Sequence, residues 1–164
     1  MSVDARALRD AFGAYATGVT VVTTVDPAGA FVGLTANSFC PVPGSASRVS
    51  WSLSRTAASC PTFAAAPHFA VHVLAQTQLE WSRRFDARGL DRFAGLDVRP
   101  GLGGVPLLDG CCAVLECATE GVHDGGDHLL FVGRVLRATH RRAAPLVFAS
   151  GGYRPVGRPP TGGD

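Results

Sequence analysis

Two short stretches concentrate hydroxyl, amide and guanidinium groups: Thr35-Ala36-Asn37-Ser38, and Ser54-Arg55-Thr56 running on to Ser59. Each follows a run with strand character, so each falls where the chain turns, and turns held by a rigid scaffold are where ligand-binding groups collect. Ser59 stands just before Cys60-Pro61 and an Ala-rich run stopped by Pro67, the pattern of a short capped helix. A hydroxyl and free backbone N–H groups at the positive end of a helix dipole, with the planar fork of Arg55 nearby, suit a phosphate. The same residues also read as a plain helix cap and a surface charge. Local chemistry alone leaves both readings open.

A second candidate is Gly125-Gly126-Asp127-His128, which leads into Leu129-Leu130-Phe131-Val132-Gly133. The glycines predict a tight turn. His128 then stands at the mouth of a strand, where an imidazole is placed to donate to a phosphate or a carboxamide. A turn histidine without chemical duty is the competing reading.

Other chemistries lack their residues. Gly101, Gly103 and Gly104 are followed by Val105-Pro106, without the strand and helix that a dinucleotide fingerprint requires. No G-x-S-x-G, H-E-x-x-H or P-loop occurs. Of the three glutamates, Glu116 and Glu120 read as exposed strand ends rather than partners of Asp124 in an acid and base dyad. His68 with His72, and Cys112 with Cys117, are the nearest approach to a zinc set, and His68 and His72 read as ordinary strand side chains. No metal site is expected. Five cysteines without C-x-x-C fit reduced thiols and a cytoplasmic setting.

Composition narrows the partners. All 15 basic residues are Arg and the net charge is +2, too weak and too scattered for a nucleic-acid face. No apolar run approaches the roughly 20 residues that cross a bilayer, and the first ten residues lack the apolar core of a secretory signal. Neither nucleic acid nor membrane is an expected partner.

The elements that must position these groups are mostly strands. Leu8, Ala11, Phe12 and Tyr15 recur at helical spacing, with Ser2 and Asp4 as caps, and predict a helix ending at Gly18. Val19 to Val25 is rich in β-branched residues, and Asp26-Pro27-Ala28-Gly29 turns it into a return strand over 31–35 that contains Gly33. Val49 to Ser54 alternates serines with Trp51 and Leu53, marking a strand with one small polar face. Phe69 to Leu74 reads as a strand and Gln78 to Phe85 as a helix. Arg88 to Gly104 reads as loop, and further strands are expected around 113–119, 129–139 and 146–148. Many strands with few short helices and no βαβ alternation predict a mainly β, antiparallel barrel over 1–156, followed by a disordered tail over 157–164.

These pieces occur together in one order. Phe12 to Thr24 (FGAYATGVTVVTT), Gly33 to Phe39 (GLTANSF), Ser50 to Pro61, Phe69 to Leu74 (FAVHVL), Arg92-Phe93-Ala94-Gly95, Gly126-Asp127-His128 and Gly151-Gly152-Tyr153 resemble the short-chain flavin reductases. Those proteins are the reductase components of two-component flavin-dependent monooxygenases. The resemblance implies a homodimeric split β-barrel that binds FMN or FAD. It places Thr35, Ala36, Asn37 and Ser38 along the isoalloxazine and ribityl chain, and Ser54, Arg55, Thr56 and Ser59 at the phosphate. Arg92, Phe93 and Tyr153 are placed beside the flavin, and His128 against NADH or NADPH.

The implied activity is hydride transfer from nicotinamide to flavin, with reduced flavin diffusing to a partner oxygenase in a natural-product pathway. The cofactors carry that chemistry, which accounts for the missing dyads. The protein aligns two rings and places donors, here around Asn37 and Ser38, where negative charge develops. Two other functions fit the same fold: a split barrel whose prosthetic FMN acts directly on an organic metabolite, and a non-catalytic flavin or haem binder. The chain departs from the resembled pattern at Ala46-Ser47, where a Pro-Pro pair is usual, and at His72, where Asn is common. His72 is a bulkier, ionisable group able to change which flavin or nucleotide fits, and the sequence leaves its effect open.

Overall fold

The computed structural model describes residues 4–44 and 47–157. Helix α1 (Ala5–Gly13) is capped by Asp4, whose carboxylate accepts from the backbone N–H groups of Arg6 and Ala7 at 3.4 and 3.0 Å. It ends five residues before the expected Gly18. Thr17–Gly18 pair instead, as strand β1, with a late strand, and Ser150 N–H donates to Gly13 O, so tertiary pairing overrides the helical period. Ser2, the other expected cap, lies outside the described residues.

Strands β2 (Thr20–Val25) and β3 (Phe31–Ala36) form a hairpin whose turn is tied by Asp26, with Oδ1 accepting from Ala28 and Ala30 N–H. After β4 (Cys40–Val42) and β5 (Arg48–Ser54) come helix α2 (Cys60–Ala65), β6 (His68–Val73) and helix α3 (Leu79–Asp86). The segment expected to be loop contains β7 (Val98–Pro100), paired with β8 (Pro106–Leu108) across a short turn. The long hairpin β9 (Ala113–Gly125) and β10 (His128–His140) follows, then β11 (Val147–Ala149) and β12 (Gly152–Arg154). Beyond Gly157 the expected tail lies outside the described residues, as does Ala46.

Seven strands make one antiparallel sheet in the order β3-β2-β6-β9-β10-β5-β4. Its two edge strands, β3 and β4, are consecutive in the chain and joined by residues 37–39 alone. Four residue steps reach about 14 Å, whereas seven flat strands would hold their edges about 29 Å apart. The sheet must therefore curl until its edges approach. Among the described residues no strand ladder joins β3 to β5; Ser38 spans the gap, its Oγ donating to Ser52 O and accepting from Ser52 N–H, both at 3.0 Å. The expected antiparallel barrel is present, split along this seam.

The barrel is filled by Trp51, stacked on Phe131 at 4.4 Å and 14° and set edge-on to Phe63 and Phe69. Val49, Trp51 and Leu53 point into this core while Ser50, Ser52 and Ser54 lie on the other face, as the alternation implies. Glu116 corrects the exposed strand-end reading, whereas Glu120 is exposed as expected but lies within β9 rather than at its end. Glu116 is buried mid-strand, accepting from Leu102 N–H at 2.7 Å, and Glu120 is clasped between Arg48 and Arg134. All five cysteines are free. Among the described residues no helix is long and apolar enough to cross a membrane.

Candidate active site

A cleft of about 830 Å³ opens beside the split seam, within the span of about 300–1,000 Å³ usual for ligand pockets. Strand β3 lines it from Phe31 to Thr35, the end of β5 and the following turn supply Leu53, Ser54 and Thr56 to Ser59, and residues 85–93 close a third side. Gly33 is needed there: a Cβ on it would stand 2.8 Å from the Phe85 ring and 3.0 Å from Phe93. The glycine flagged inside the return strand thus marks a close approach of rings to backbone.

Hydroxyls gather on the opposite wall. Ser54 Oγ and Thr56 Oγ1 lie 2.9 Å apart, and Thr56 N–H donates to Ser54 Oγ at 3.3 Å. Ser59 does not cap α2 through its side chain as expected; its backbone is helical (φ −82°, ψ −8°) and its carbonyl accepts from Phe63 N–H. A helical backbone at that residue turns the hydroxyl away from the N–H groups it would cap, leaving it on the cleft wall.

The two arginines assigned to the cofactor have other work. Arg92 donates from Nη1 to Gly33 O at 2.6 Å and from Nε and Nη2 to Ala87 O at 3.0 and 2.7 Å. Arg84 in turn donates from Nε to Arg92 O at 2.7 Å and from Nη2 to Ala94 O. Arg92 is therefore a strap that fixes the 87–93 segment against β3, and Phe93 packs from that segment onto Phe31 and Phe85. Arg55 does not line the cleft. It closes on the β9–β10 turn, donating from Nε to Gly126 O at 2.7 Å and pairing with Asp124 at 2.9 Å, while its N–H donates to Asp127 O. The Gly126 N–H and the Arg55 guanidinium hold the Asp124 carboxyl below its ordinary value.

Arg55 thereby brings the His128 turn to the hydroxyl turn. His128 pairs directly with Ser54 across the β5–β10 ladder. Its Nδ1 lies 2.8 Å from Asp127 Oδ1. A carboxylate only accepts, so Nδ1 carries the hydrogen and Nε2 is left to meet a ligand. The same hydrogen bond lowers the Asp127 carboxyl.

A smaller pocket of about 190 Å³ adjoins the cleft, sharing Thr35 and Asp86 with it and lined also by Val19, Asn37, Ser82, Phe148 and Tyr153. Tyr153 OH lies 2.9 Å from Ser82 Oγ, and Thr35 Oγ1 donates to Ser82 O at 2.7 Å. Thus Thr35, Asn37 and Tyr153 come together. Ala36 is buried, its carbonyl accepting from Thr20 Oγ1 at 2.7 Å, and the Ser38 hydroxyl is committed to β5. Sequence reasoning missed Phe31, Phe85, Asp86 and Arg88 on the cleft; nothing in their local pattern marks them.

His72 lines neither pocket, so it makes no direct contact with a ligand placed in them. It is wholly buried, with Nδ1 donating to Val21 O at 3.0 Å and Nε2 accepting from Leu108 N–H at 3.1 Å. Burial depresses its pKa to about 4.

The residues present fit a flavin. Aromatic rings and Leu34, Leu53 and Val32 offer an apolar wall for a planar ring, and the uncapping Ser59 hydroxyl with Ser54 and Thr56 offers donors to a phosphate.

Comparison with known proteins agrees. The flavin reductase like domain matches residues 12–157. The chain is 43% identical over 150 residues to FMN reductase (NADH) SmoA of Agrobacterium fabrum, covering 92% of this chain and 85% of that protein. It is 37% identical over 153 residues to HsaB of Rhodococcus jostii, the reductase subunit of a flavin-dependent monooxygenase, covering 93% of this chain and 78% of that one. Three other relatives are longer, and the chain spans 48%, 65% and 48% of their lengths. The structure of the Streptomyces globisporus NADH:FAD oxidoreductase SgcE6, in complex with NAD and FAD fragments, superposes with a TM-score of 0.88 at 36% identity over 94% of both chains. With a matching fold and a family match along nearly its whole length, the chain belongs to the flavin reductase like family.

Proposed function

We propose that this chain is an NAD(P)H-dependent flavin reductase that takes up FMN or FAD, reduces it and releases it to a separate oxygenase. One observation carries the reading: the hydroxyl turn that suits a flavin phosphate and the turn that bears His128 are held together, through the Arg55 ties and the pairing of His128 with Ser54. SmoA and SgcE6 support the nucleotide and flavin assignment, and HsaB the supply of an oxygenase.

The redox chemistry is the cofactors' own, a hydride passed from nicotinamide to flavin. The protein binds and aligns. Ser54, Thr56 and Ser59 hold the phosphate. Gly33 lets the Phe85 and Phe93 rings close on β3, and Thr35 and Asn37 flank the end toward the small pocket. With Ser38 bound to β5, Asn37 is the side-chain donor left near that end. His128 presents Nε2 to the nicotinamide nucleotide.

The working unit in this reading is one domain over 1–156, paired as a homodimer in the cytoplasm. Exposed Val42, Leu130 and Leu136 leave apolar surface on β4 and β10 for a second copy to cover. Gel filtration of the flavin-loaded protein tests the supply function. A supplier separates from its flavin on the column, whereas flavin that coelutes in stoichiometric amount would establish a prosthetic group and contradict the reading.

A further inference from the structure

The geometry points to FAD rather than FMN as the preferred flavin, with Arg88 and Phe31 forming the subsite for its adenylate half. This rests on the flavin reading above and deepens it. Relatives divide on the point, since SmoA is named for FMN and SgcE6 for FAD, so the chain's own residues must decide.

The cleft has two ends. Thr35 marks one, because it is shared with the small pocket that also holds Asn37 and Tyr153, the end assigned to the ring system. Phe31 marks the other, four residues away along β3, a rise of about 14 Å. A mononucleotide ends at its phosphate on Ser54, Thr56 and Ser59. Phe31, Arg88, Gly89 and Leu90 line the same cleft in addition to those hydroxyls.

The far end has the chemistry of an adenylate site. Phe31 is 45% exposed, held by Phe93 at 5.5 Å and lining the cleft, and an exposed aromatic face is a platform on which a base can stack. Arg88 is exposed on the lip and enters none of the ion pairs among the described residues. It differs in this from Arg92, whose donors are committed to Gly33 and Ala87. FAD brings a second phosphate and a purine, an anion and a flat ring; FMN brings neither. Phe31 keeps about half its surface exposed despite packing on Phe93, Arg88 enters no ion pair among the described residues, and the Arg92 strap holds both beside the same opening.

Titrating the full chain with FAD and with FMN, following quenching of flavin fluorescence, tests the assignment without turnover. FAD is expected to bind about tenfold tighter than FMN, and Arg88→Ala or Phe31→Ala each to reduce that ratio severalfold, as loss of one charged or stacking contact implies. Both positions are exposed, so the variants fold, which far-UV circular dichroism verifies. Equal or tighter binding of FMN overturns the inference and leaves the reductase reading standing. An FAD preference that survives both substitutions overturns the assignment to these residues. Binding of neither flavin overturns the flavin reading itself.

Discussion

His128 meets Ser54 across the β5–β10 ladder, and Asp127 fixes its Nδ1 as donor, so the imidazole is oriented before any ligand arrives. In the proposed reading His128→Ala removes the Nε2 contact to the nucleotide and leaves Ser54, Thr56 and Ser59 in place. Steady-state kinetics should show KM for NADH rising by about tenfold, while flavin affinity moves by less than about twofold. Equal losses of both would contradict the role. Residue types made this position legible: a Gly-Gly-Asp-His run announces a turn and puts the histidine at a strand mouth. Arg55 and Arg92 were legible as charges only. A guanidinium carries five donors, and sequence does not show that Arg92 gives three hydrogen bonds to backbone carbonyls or that Arg55 folds onto the β9–β10 turn.

At the scale of elements, His72 joins three strands. It sits on β6, donates to Val21, its partner in the β2–β6 ladder, and accepts from Leu108 on β8, which belongs to a separate two-stranded sheet. Its folded pKa, about 4, lies below the 6.5 of the unfolded chain, so the unfolded state binds the extra proton between those values. The stabilisation is complete above pH 6.5, declines as pH falls from 6.5 toward 4, and changes no further below. It amounts to about 3 kcal/mol. Urea unfolding at pH 7.5 and pH 4.5 should show this loss in the native protein and a much smaller one in His72→Asn. An identical pH slope in both would remove His72 as its source. Strand existence was legible here from β-branched runs, and the link was not, because the partners lie 51 and 36 residues away.

For the whole molecule, strand count and hairpin turns implied an antiparallel barrel, and closure follows from one further fact, the three-residue link between the edge strands. Pairing order, which makes β3 and β4 the edges, is not written in local sequence. The helix expected to reach Gly18 failed for the same reason, since a distant strand claims Thr17 and Gly18. Closure places Thr35 at the end of β3 and the hydroxyl turn on facing walls, although 17 residues of chain separate Thr35 from Leu53 and the Ser54 turn beyond it. That is how two weak local patterns become one cleft.

The central claim is that the cleft supports repeated reduction of exchangeable flavin. Its most direct test mixes the purified protein, without oxygen, with NADH and an excess of free flavin, and follows the nicotinamide and flavin absorbance bands. The account predicts rapid bleaching of many equivalents of flavin per protein, matched mole for mole by NADH oxidised. Bleaching that stops at one equivalent, or flavin binding with no NADH consumed, would contradict it.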